Sequence, residues 1–150
     1  MPQDPRRAAA LLATPDDVEA QFYEALQNAD LDKLMAVWSD DDEIACVHPG
    51  GPRISGHAAI RASFAAIFAN GAVPLQPQGV RRLSTLGCAV HHLVEQVRVA
   101  DAQGSRSAWV LATSVYVKTA QGWRMVAHHA SPGSDDPDRS SSGEPPATLH

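Results

Sequence analysis

The chain has 150 residues, 44% of them apolar, and a formal charge of -5, which describes one globular domain large enough to bury a core and too short for two. Its Lys and Arg residues are scattered with no basic stripe, which argues against nucleic acid as a partner, and no apolar run approaches a membrane span. Two cysteines, Cys46 and Cys88, read as buried free thiols of a reducing compartment, although a single cross-link is also compatible with the sequence. Residues 1–13 place Arg6 and Arg7 ahead of an Ala/Leu run that is too short and too weakly apolar for a signal peptide. They read as a flexible extension, and the protein is expected in the cytoplasm.

The first helix is signalled by Thr14-Pro15-Asp16-Asp17, where Thr14 can cap, Pro15 fits the first turn and Asp17 completes a capping box. Val18, Phe22, Ala25, Leu26 and Ala29 recur at helical spacing and make its buried stripe. Asp30 caps a second helix with Leu31, Leu34, Met35 and Trp38 on one face, ended by Asp40-Asp41-Asp42-Glu43. That acidic run reads as a solvated turn and not as a metal site. A short strand carries Ile44, Cys46 and His48 on one side and stops at Pro49-Gly50-Gly51-Pro52. Ser55-Gly56-His57 leads into a third helix with the stripe Ile60, Phe64, Ile67 and Phe68.

Two strands are expected between Pro74 and Ala100, broken near Thr85-Leu86-Gly87, and Pro74 and Pro77 make the first of them an edge or bulged strand. Glu95 shares the inward parity of Leu93, Val97 and Val99, whereas the adjacent His91 and His92 face opposite sides and cannot chelate one ion as neighbours. Ser107 to Ser131 reads as one long hairpin. A three-residue loop would pair Thr119 with Trp123 and set Thr113 opposite His129. Trp109, Leu111, Thr113, Val115, Val117, Trp123, Met125, Ala127 and His129 are then the core face. The other face holds Ala112, Ser114, Tyr116, Val126 and Ala130, apolar enough to predict a homodimer built on it. From residue 132 onward Ser, Pro, Gly and Asp dominate, so 132–150 is expected to be a disordered tail whose removal leaves folding unchanged.

The element order is an α+β layout, a curved antiparallel sheet packed on three N-terminal helices. Five motifs stand in order between residues 14 and 131: Asp30-Leu31-Asp32, Trp38-Ser39-Asp40-Asp41, His48-Pro49-Gly50-Gly51, Ser55-Gly56-His57-Ala58-Ala59-Ile60, and Gly122-Trp123-Arg124-Met125-Val126 closing on His129-Ala130-Ser131. In these the chain resembles the nuclear transport factor 2-like superfamily, and within it the SnoaL-like and ketosteroid isomerase-like domains. The resemblance implies a cone with an internal pocket. It does not imply a reaction, since the superfamily includes isomerases, cyclases, dehydratases, transport factors and association domains.

In ketosteroid isomerases a base aspartate precedes a proline where this chain has His48-Pro49, and a tyrosine stands where Phe22 aligns. The last strands supply an acidic donor there, and Ser107 to Ser131 contains neither Asp nor Glu, so steroid isomerisation is not expected. An imidazole at the base position remains chemically apt, because it titrates near neutral pH. The expected site therefore has His48 as base and His129 as donor or anchor, with Trp38, Glu95, Thr113 and Ser131 as ligand contacts. No cofactor and no metal are expected; a His48, His91 and His129 metal site lacks supporting ligand spacing. The expected ligand is a small apolar molecule or a carboxylic acid. A non-catalytic association module is the alternative. Inward-pointing titratable groups would favour the pocket, and inward residues that only pair with one another would favour the module.

Overall fold

Helix α1, Pro15–Asn28, starts as its sequence dictates: the Thr14 hydroxyl accepts from the Asp17 N–H, and the Asp17 carboxylate accepts in return from the Thr14 N–H. Thr14→Ala should therefore cost about 1 kcal/mol, read as a lower urea midpoint at unchanged slope. The computed structural model describes residues 12–133. The expectations for the N-terminal extension and the C-terminal tail fall almost wholly outside them. Leu12 itself is buried, and its carbonyl accepts from the Trp123 N–H.

Helix α2, Leu31–Met35, is capped by Asp30 and is shorter than its apolar stripe suggests. Strand β1, Ala45–Val47, turns through Pro49-Gly50-Gly51 into a strand that periodicity did not announce, β2, Arg53–Ser55. Three residues are too few to show a period. Helix α3, His57–Phe68, buries Ile60 and Phe64 and half-buries Ile67 and Phe68. Strands β3, Leu75–Ser84, and β4, Cys88–Asp101, break where expected. The proline-bearing β3 lies at the sheet edge, with its register shifted between Gln78 and Arg81. Strands β5, Gly104–Thr119, and β6, Gly122–Pro132, form the long hairpin.

The six strands run in the order β2-β1-β6-β5-β4-β3. β1 pairs with β6 in parallel, so the sheet is mixed and not wholly antiparallel. The three helices of the described residues pack on one face, and α1 supplies the centre of the core. There Phe22 meets the Phe64 ring edge-on at 6.1 Å and the His128 ring at 4.8 Å.

The hairpin corrects the sequence reading in two ways that cancel in register. Its loop has two residues, so Thr119 pairs with Gly122 and Lys118 with Trp123. A bulge at Val126 then adds one residue to β6, and Thr113 pairs with His129 after all. The face assignment holds on β6 for Trp123 and Met125, ahead of the bulge, and fails on β5 and on the rest of β6. On β5 the buried residues are Val110, Ala112, Ser114 and Tyr116, whereas Leu111 is exposed and Trp109, Thr113, Val115 and Val117 are half-buried. On β6 the inward set is Met125 before the bulge and His128 and Ala130 after it, leaving His129 outside. The dimer surface expected from Ala112, Ser114, Tyr116, Val126 and Ala130 is therefore core, with Val126 half-buried against it. The odd-numbered face of β5 looked like core because it carries the larger apolar side chains. The true inner face carries Val110, Ala112 and Ser114, which leave room for the helices, together with the large, fully buried ring of Tyr116.

Candidate functional site

A cavity of about 160 Å³ lies between the helices and the inner face of the sheet. Its walls are mostly apolar, with Phe22, Leu26, Phe64, Ile67 and Val110 among them, and its titratable lining groups are His48, Glu95 and His128. Two of these three were expected from parity and turn position. The third replaces His129, because the bulge at Val126 shifts β6 by one residue.

His48 is placed by the turn that follows it, where the Gly51 N–H donates to the His48 carbonyl at 2.8 Å and Gly50 takes a positive φ of 76°. Its ring meets Phe64 edge-on at 4.9 Å, and its Nε2 lies 3.1 Å from Ser63 Oγ. The Ser63 hydroxyl donates to the Ile60 carbonyl at 2.7 Å, so its oxygen is left to accept a proton from Nε2–H. That assigns Nδ1 as the basic nitrogen of neutral His48. Burial lowers the His48 pKa, which keeps the imidazole unprotonated near neutral pH.

Glu95 is held from helix α1 by Tyr23, whose hydroxyl donates to Glu95 Oε2 at 2.7 Å. Burial raises the Glu95 pKa and the Tyr23 hydrogen bond opposes the rise. His128 Nε2 lies 3.7 Å from the same Oε2, and its Nδ1 is 2.8 Å from Ser114 Oγ. Burial pushes the His128 pKa down to about 3, with the charges of His48 and His129 adding to the effect. The cavity thus brings together one imidazole base, a second imidazole kept neutral, and a carboxyl whose pKa burial raises. Such a set can take a proton from a ligand and offer one back.

The remaining expected contacts do not meet there. Thr113, His129 and Ser131 lie on the other face of the sheet, where Thr113 Oγ1 is 3.1 Å from His92 Nδ1. Trp38 is buried and lines a different recess. A second polar cluster was missed: His91 Nδ1 lies 2.7 Å from Glu19 Oε2, and Arg82 Nε is 2.8 Å from Asp16 Oδ1. One potential ligand atom from each of Asp16, Glu19 and His91 lies within 4.8 Å of the others. Arg82 and His91 partner one oxygen of each carboxylate, Glu19 Oε1 has no partner among the described residues, and the cluster ties α1 to β3 and β4. Tyr23 and Glu19 escaped notice because each sits one position beside the apolar stripe. Their own i, i+4 spacing was the available signal.

The chain matches the family model of the SnoaL-like domain over residues 16–135. No curated protein matches it. Among solved structures it is similar to a protein assigned as a calcium/calmodulin-dependent protein kinase type II association domain from Thiobacillus denitrificans, with 38% identity over 83% of this chain and 98% of that one and a TM-score of 0.75. It is also similar to an NTF2-like family protein from Streptomyces avermitilis assigned as a dehydratase, with 28% identity over 79% and 93% of the two chains and a TM-score of 0.70. A CaMKII hub from S. rosetta shares the fold at 19% identity, 89% and 100% coverage and a TM-score of 0.63.

Proposed function

The chain belongs to the family of SnoaL-like domains, and from that premise we propose that it binds an uncharged, single-ring-sized molecule in its cavity and moves a proton on it, with His48 as base. The observation that carries this reading is the convergence of His48, Glu95 and His128 on one apolar cavity of about 160 Å³. An apolar cavity of about 150 Å³ suffices for a benzene-sized guest. Among the described residues no Lys or Arg lines this one, so an anionic ligand would enter without a counter-charge from them. Of the two ligand types expected, the apolar one is therefore favoured over the carboxylic acid. A ketone fits the chemistry: His48 Nδ1 takes an α-proton while protonated Glu95, positioned by Tyr23, donates to the carbonyl oxygen as it gains charge.

Cyclohexanone is a suitable probe. In deuterated buffer the protein should raise its own melting temperature in the presence of the ketone and accelerate α-hydrogen exchange above the buffer rate. His48→Gln should slow the protein-dependent exchange by about 100-fold or more while retaining the thermal shift. Absence of both effects would remove the proposal.

Similarity to the Thiobacillus denitrificans association domain favours a second reading, a module that assembles copies of itself. The outer face of the sheet is suited to a homodimer, for reasons that replace the earlier ones. Leu111 is 43% exposed there, and Trp109, Val115, Val117 and Ala127 are only half-covered. Sedimentation is expected to give about twice the chain mass, and Leu111→Glu to shift it toward the monomer. A monomer at micromolar concentration would sink the dimer, and a larger assembly with no ligand response would favour the association module.

A further inference from the structure

At the tip of the β5–β6 hairpin a second recess, of about 390 Å³, lies against the chain following α2 and the first residue of α3. Met35, Trp38, Ser39, His57, Gln121 and Arg124 are among its walls, and it shares no lining residue with the His48–Glu95 cavity. Arg124 is only 8% exposed. Among the described residues its guanidinium makes one hydrogen bond, from Nη1 to the Trp123 carbonyl at 2.7 Å, and has no carboxylate within ion-pair distance. Trp38 is 2% exposed, and its Nε1–H has no acceptor among the described residues. A nearly buried guanidinium with no carboxylate within ion-pair distance is costly to leave unpaired, and an anionic acceptor in the recess would relieve it; the indole of Trp38, in the same wall, would respond to that charge.

The rest of the wall agrees in sign. Helix α3 begins here at His57, behind Gly56, which supplies no side-chain cap, so the N–H groups of its first turn remain open to an acceptor. The Ser39 hydroxyl accepts from the Asp41 N–H, leaving its own proton free. The one opposing group is Asp40, exposed at the recess, whose charge acts on Arg124 from beyond ion-pair distance. A single guanidinium matches a carboxylate with its two parallel N–H donors, whereas the nearby Asp40 disfavours a dianion. We infer that this recess binds the carboxylate of a small organic acid.

The test uses the full chain labelled with nitrogen-15, in which the three tryptophans give three indole N–H signals, that of Trp38 identified by its loss in Trp38→Phe. Sodium acetate, titrated against sodium chloride at matched ionic strength, should move the Trp38 signal saturably. Arg124→Gln should weaken acetate binding by about ten-fold or more. Gln121→Glu, which changes an exposed residue of the wall, tests the same charge preference without touching the core and should also weaken acetate. An acetate response no larger than that of chloride, saturation by inorganic phosphate at lower concentration than acetate, or unchanged acetate affinity in Gln121→Glu would each overturn the assignment.

Discussion

Tyr116→Glu is expected to abolish cooperative folding, whereas His129→Glu, on the same hairpin, should leave stability within about 0.5 kcal/mol of the parent. Tyr116 is fully buried, with its ring 4.9 Å from that of His91, while His129 is exposed. Loss of a buried aromatic ring costs about 3–5 kcal/mol. The new carboxylate would have no partner and would sit within the influence of Glu19 and Glu95, whose charges already raise the Tyr116 pKa. Together these approach the whole stability of a small domain, about 5–15 kcal/mol. Far-ultraviolet circular dichroism and urea unfolding of both variants decide the matter. A folded Tyr116→Glu with a parental midpoint would show that the even-numbered face of β5 is not the core.

Acid should destabilise the protein through His128, and His128→Asn should remove much of that sensitivity. The folded pKa of His128, about 3, lies below the unfolded value of about 6.5. The unfolded chain therefore binds more protons between these values, and stability falls as pH drops below about 6.5, by on the order of 5 kcal/mol if the whole interval is crossed. Glu95 acts in the opposite sense. Its raised folded pKa gives a contribution that is full below the unfolded carboxyl value and is lost as pH rises through the folded one. Urea unfolding at pH 7, 5.5 and 4.5 should show a steep decline in the parent. In His128→Asn, whose amide can still reach Ser114, the decline should be shallower. Equal declines would place the acid sensitivity elsewhere.

The position of His128 shows where sequence reading reached its limit. Inward parity on β4 correctly assigned Glu95, because that strand runs from Cys88 to Asp101 and pairs with β5 without a break. The same logic failed on β6. A bulge of one residue reverses every later side chain, and nothing in Arg124-Met125-Val126-Ala127 announces it. His48 was legible because a Pro-Gly-Gly turn ends its strand. Tyr23 was not, because a hydroxyl beside an apolar stripe acquires meaning only when a strand residue 72 positions away comes to face it.

By itself the sequence determined the local elements: the capping box at Thr14, the three helices, the edge strand with its prolines, the long hairpin, and through five ordered motifs the family. These follow from short-range rules of capping, periodicity and turn chemistry. Only the tertiary structure decided which face of the hairpin is buried, that β1 joins β6 in parallel, and that His48, Glu95 and His128 share one cavity. Those outcomes depend on packing volume. On the inner face of β5, Val110, Ala112 and Ser114 leave space for the helices while the ring of Tyr116 fills the core, so the face richer in apolar side chains is turned outward.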